Sequence, residues 1–143
     1  MTDDAPFQLE RFVDAQQGTF ETALRELQAG EKQSHWMWFV FPQFAGLGRS
    51  PTAQYYAIRS PSEARAFLAH PVLGEHYRTA VDALLTWAGR KDAIAILGEI
   101  DALKLRSSLT LFEAASGDER FARALSAFFD GPDDGTLRLI GQA

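Results

Sequence analysis

Gly30-Glu-Lys-Gln-Ser-His-Trp-Met-Trp-Phe-Val-Phe-Pro-Gln43 carries two of the chain's three tryptophans and two of its eleven phenylalanines between Trp36 and Phe41. Such rings must be packed away, since each removes roughly 150–250 Å² from water. Trp, Phe and Val favour strands, so a sheet is the alternative to weigh. Ser34, however, is a helix-capping residue type. Pro42 is a stop, because the residue before a proline resists the α region. No second strand-like run exists to pair with the stretch. The pattern predicts a short helix from about His35 to Phe41. Lys32, Ser34 and His35 precede it and Gln43 follows, so the apolar run is either the centre of a core or the floor of a pocket.

Outward from this stretch the apolar spacing stays near 3.6 and no hairpin signal appears. Asp4 and Pro6 read as a helix start, followed by Leu9, Phe12, Val13 and Gln16. Thr19 is placed to cap a second helix with Phe20, Ala23, Leu24 and Leu27 on its apolar face, closed by Gly30. Ser50-Pro51 and Ser60-Pro61 each join a cap to a first-turn proline, and Ser60-x-x-Glu63 is a capping box. The first opens a short helix through Tyr55, Tyr56 and Ile58. A longer helix carries Leu73, Tyr77, Val81, Leu84 and Ala88 and ends at Gly89. Asp92 caps a short segment ended by Gly98. Asp101 caps the next, with Leu105, Leu109 and Phe112 on one side. Gly117-Asp118 is a stop followed by a cap, and the tail from Thr136 to Ile140 docks back on the body. The expectation is an all-α fold, one compact domain of about eight or nine short helices over residues 1–143.

At 143 residues the chain suits one core. Its 46% hydrophobic and 23% charged residues are those of a globular protein, with more aromatics than folding alone requires. A net charge of −5 disfavours gripping nucleic-acid backbones. The absence of cysteine excludes disulfides, thiolate nucleophiles and cysteine-based metal centres, and it fits a reducing compartment. The start, Met1 to Pro6, is acidic where a secretory signal is basic. No run approaches the roughly 18 apolar residues of a membrane span. A soluble, cytoplasmic protein without a membrane partner is expected.

Two segments hold candidate chemistry. On a helix, Lys104 and Ser108 share one face, and Ser107 and Thr110 another. A cation and hydroxyls beside an apolar face suit an anion. The plainer reading has the hydroxyls bonded one turn back and the cations in water. His35, with an ordinary pKa near 6.5, is the first candidate acid or base and Lys104 the charge stabiliser; a buried imidazole bonded to a carbonyl is the equal alternative. Gly46 and Gly48 mark either a turn or a loop approaching a ligand. His70 and His76 read as structural or surface residues. With no His-x-x-x-His pair and no clustered carboxylates, no metal site is expected. A serine nucleophile is disfavoured, as Gly-x-Ser-x-Gly is absent.

Lys32-Gln-Ser-His-Trp-Met-Trp-Phe-Val-Phe-Pro-Gln43, Gly46-Leu-Gly-Arg-Ser50, His70-Pro-Val-Leu-Gly74 and Lys104-Leu-Arg-Ser-Ser-Leu-Thr-Leu-Phe112 together resemble the bacterial domain of unknown function 1810. The resemblance runs from Arg11 through Leu137. It implies one compact helical domain with no settled activity and no known cofactor. The family's motifs fall on Lys32, His35, Trp36, Trp38, Gln43, Gly46, Gly48, Ser50, Lys104, Ser107, Ser108 and Thr110. Leu109 for a common methionine and Val40 for isoleucine conserve volume. A signature this rich in polar residues implies a site.

Two functional readings follow. In the first, an anionic or nucleotide-like small molecule binds between the aromatic helix, the Gly46–Gly48 rim and the polar residues above, with a catalytic role for His35 and Lys104. In the second, Trp36, Trp38 and Phe44 are partly exposed anchors for a partner protein.

Overall fold

The computed structural model describes residues 7–141. In chain order its helices are α1 (Glu10–Gln16), α2 (Phe20–Ala29), α3 (Met37–Val40), α4 (Pro51–Tyr55), α5 (Pro61–Ala69), α6 (Leu73–Leu85), α7 (Ala93–Leu97), α8 (Glu99–Ser116), α9 (Glu119–Phe128) and α10 (Asp134–Gly141). The fold is all-α, with ten helices among the described residues. Their only β-type pairing is one parallel bridge between Phe44 and Ile58. The helix start expected at Asp4 and Pro6 lies outside the described residues.

The long helix α8 is the axis, packed against α3, α5, α7, α9 and α10. Ser107 through Phe112 are all buried, because neighbouring helices enclose that part of α8. Tyr77 of α6 sits at the centre of one contiguous core, with Phe112 at 4.5 Å, Phe121 at 5.2 Å, Phe41 at 5.5 Å and Phe67 at 6.1 Å between ring centroids. These tilted and edge-on pairs are the arrangements that ring quadrupoles favour. The Tyr77 hydroxyl, buried with its ring, bonds Ser108 Oγ at 2.9 Å. Burial pushes its pKa up and keeps the phenol neutral.

Local chemistry sets most helix ends. Ser50 and Ser60 accept bonds from the Ala53 and Glu63 amides, with Pro51 and Pro61 behind them. Asp92 and Asp118 likewise accept from Ala95 and Arg120. Glu63 departs from the expected capping box: its carboxylate takes the Arg59 amide and the Arg11 guanidinium. Gly30 ends α2 at φ +71°, and a Cβ there would lie 2.8 Å from the Trp87 ring. Trp87 Nε1 and Lys91 Nζ donate to the Leu27 and Gly30 carbonyls, satisfying that helix end.

Several expected boundaries are corrected. Thr19 does not cap α2 with its side chain. The helix through Tyr55 stops there, and Ile58 joins the bridge to Phe44 instead. α6 ends at Leu85, before Ala88. Asp101 is no cap, since α8 already begins at Glu99. Ser34 does not cap α3, which covers only Met37–Val40; a carboxylate from α2 holds Ser34 in the preceding loop.

Candidate functional site

That carboxylate belongs to Glu26. It accepts from the Gln33 amide at 2.8 Å, the Ser34 amide at 3.0 Å, Ser34 Oγ at 2.6 Å and Trp36 Nε1 at 2.9 Å. Burial alone would raise its pKa, but these four bonds outweigh that and hold it at about 2. The Lys32 amide is tied to the Ile96 carbonyl at 2.8 Å. The loop before the aromatic helix is therefore anchored on both sides. From α1, Gln16 Nε2 donates to the Phe39 carbonyl while its Oε1 accepts from His76 Nδ1. His76 stacks on Phe20 at 3.8 Å, and desolvation lowers its pKa.

Between this loop and the amino end of α8 lies a half-open cleft of about 460 Å³. Lys32, His35, Trp36, Met37 and Trp38 form one wall. Leu97, Gly98, Glu99, Ile100, Asp101 and Lys104 form the other. Asp101 joins two lysine–indole pairs. Lys32 Nζ lies 2.8 Å from Asp101 and 5.3 Å from the Trp36 ring centroid. Lys104 Nζ lies 3.7 Å from Asp101 and 5.2 Å from the Trp38 centroid. No side chain caps α8, so its first-turn amides add a partial positive charge at the rim. His35 is exposed, and among the described residues it has no hydrogen-bond partner.

The other sequence candidates divide. Gln43 and Gly48 line a small hollow that adjoins the cleft through Met37, Trp38 and Lys104. Gly46 faces Leu139 of α10 and Ser50 caps α4, both outside the cleft. Ser107 is buried, Ser108 is bonded to Tyr77, and Thr110 donates to the Arg106 carbonyl and accepts from the Asp133 amide. None of these three hydroxyls lines the cleft. Lys104 and Ser108 do lie one turn apart, but the helix passes from rim to core between them. His70 Nδ1 accepts from the Val72 and Leu73 amides at the start of α6. Among the described residues, no group of three or more His, Cys, Asp or Glu is placed to hold a metal ion.

The reading with exposed aromatic anchors meets a correction: Trp36 is 0% and Phe44 5% exposed. Only Trp38 of the three reaches solvent. Sequence reasoning misses two roles: Glu26, which holds the loop that carries the cleft wall, and Asp101, which lines the cleft between the two lysines. Glu26 carried one readable signal, a carboxylate in the last turn of a helix, where the dipole opposes it. Asp101 reads in the sequence as a helix cap, and its pairing with Lys32 depends on the packing of distant segments.

The family model described as protein of unknown function (DUF1810) matches residues 6–140. A solved structure, that of the conserved hypothetical protein Rv1873 from Mycobacterium tuberculosis, is similar with a TM-score of 0.92 and 42% sequence identity. The match covers 95% of this chain and 98% of that one. No curated protein matches the chain. No helix among the described residues is long and apolar enough to cross a membrane. The chain belongs to the DUF1810 family of proteins of unknown function.

Proposed function

We propose that the cleft between α3 and α8 binds a small anionic molecule. The observation that supports this is the meeting of Lys32, His35, Trp36, Trp38 and Lys104 around one concavity, although Lys104 is remote from the others in sequence. Asp101 neutralises Lys32 closely and Lys104 only loosely. Lys104 is thus the cation free to turn toward an anion, with His35 and the first-turn amides of α8 as further donors. The indoles supply the apolar wall usual in such sites. Binding is better supported than catalysis. A general base is ordinarily oriented by a third group, and no described residue bonds His35. Should there be chemistry, His35 is the acid or base and Lys104 the charge stabiliser.

Titration with inorganic phosphate, phosphate monoesters and nucleoside monophosphates, followed by calorimetry and melting temperature, tests the reading. The wild type is expected to bind at least one of them, and Lys104→Ala to weaken that binding about tenfold, the 1.4 kcal/mol scale of a charge-assisted hydrogen bond. Absence of binding to all of these anions would end the proposal.

A further inference from the structure

The hollow beside the cleft bears on which anion is bound. It is lined by Trp38, Gln43, Phe44, Gly48, Tyr56 and Lys104 and holds about 10 Å³. That is space for one water-sized group and no more. Trp38 and Lys104 line both spaces, so a molecule in the cleft has the hollow within reach past the Trp38 ring.

The Gln43 side-chain amide, the Trp38 indole N–H and the Tyr56 hydroxyl all line this junction and have no hydrogen-bond partner among the described residues. The contrast with the other tryptophans is internal to the molecule. Trp36 Nε1 is bonded to Glu26 and Trp87 Nε1 to the Leu27 carbonyl, each at 2.9 Å. Tyr56 and Lys104 line the same hollow, but neither is bonded to the Gln43 amide. Gly48 permits this arrangement. A Cβ there would lie 2.5 Å from Ala53 Cβ and 3.9 Å from Gln43 Oε1, so a larger residue would push the loop away from α4.

We infer that Gln43 reads the neutral half of the ligand, which is a planar heterocycle bearing an amide-like edge and joined to the anion: a nucleoside phosphate. This rests on the anion-binding reading above. The heterocycle is too large for the hollow and lies against Trp38 in the cleft. Its edge atoms, an amino or carbonyl group, reach in to Gln43. A primary amide presents a donor and an acceptor side by side, which matches such an edge and does not match an aliphatic chain. Lys104, held by one ionic contact of 3.7 Å and by its place over the Trp38 ring, leaves that face and follows the phosphate.

The experiment compares inorganic phosphate, ribose 5-phosphate and the adenosine, guanosine, cytidine and uridine monophosphates by calorimetry, on wild type and Gln43→Leu. At least one nucleotide is expected to bind ten or more times tighter than ribose 5-phosphate. Gln43→Leu is expected to erase that preference and to leave ribose 5-phosphate affinity within about twofold, the range a group without contact to the sugar phosphate allows. If Gln43→Leu does not fold, Gln43→Asn, which withdraws the amide by one methylene, carries the same expectation. Equal binding of ribose 5-phosphate and all four nucleotides overturns the inference and leaves the anion site standing. So does a nucleotide preference that survives in the variant. Failure of every anion to bind removes both.

Discussion

Arg11 and Lys104 each lie beside a carboxylate, yet they are held in opposite ways. Arg11 donates to the Phe7, Gln8, Tyr55 and Ala57 carbonyls and to Glu63 Oε2, all within 3.0 Å. Its partner Glu63 is 4% exposed at the side chain and also holds the Arg59 amide. Lys104 has one ionic contact, at 3.7 Å, shared with a carboxylate already committed to Lys32. The donors of Arg11 tie α1 to the residues just before it, to the end of α4, to the α4–α5 turn and to α5. Around Lys104, the donors of His35, Trp38 and Gln43 are unused among the described residues. A saturated cation ties a fold together, whereas an unsaturated one beside a cleft is available to a ligand.

The contrast can be broken by mutation, beginning where the largest effect is expected. Arg11→Ala leaves Glu63 buried without its counter-ion. A loss of about 3–5 kcal/mol is expected, read as a lowered denaturation midpoint. Glu26→Gln comes next, at about 1–3 kcal/mol, because bonds to a charged acceptor become bonds to a neutral one. This variant has a pH signature. The Glu26 carboxyl titrates near 2 in the folded chain against an ordinary 4.5, so on acidification the unfolded chain takes up its proton first. The stabilisation is complete above pH 4.5 and is lost as pH falls toward 2. Urea melts of wild type and Glu26→Gln should therefore converge across that window; a constant gap would show that the four bonds do not depend on charge.

Tyr77→Phe should cost about 1–2 kcal/mol, since Ser108 Oγ loses its buried partner. The smallest effect on stability is expected for Lys104→Ala, within about 1 kcal/mol, as for a partly exposed ion pair. Its effect should appear in anion affinity instead. A Lys104→Ala loss as large as that of Arg11→Ala would erase the distinction between the two regions.

Much of the site was legible because its residues are crowded into one stretch. Lys32, His35, Trp36 and Trp38 lie within seven positions, and Lys104 stood out as a cation on an apolar helix. What misled were side chains whose local chemistry has two outlets. Ser34 is a natural cap but donates to Glu26. Asp101 is another, but it lies within the first turn of α8, past the cap position, and pairs with lysines. Ser108 and Thr110 share their helix with Lys104, but their partners, the Tyr77 hydroxyl of α6 and the Asp133 amide just before α10, come from distant segments.

Apolar periodicity, capping residues and prolines were enough to establish an all-helical chain, because those signals act within a few residues of themselves. Composition likewise ruled out cysteine chemistry without reference to shape. The convergence of α3 with the first turns of α8, the locking of the aromatic loop by Glu26 and the division of one polar helix into rim and core depend on how distant helices pack. Burial and hydrogen-bond saturation are properties of that packing, since a side chain's partners come from whichever segments arrive beside it in space.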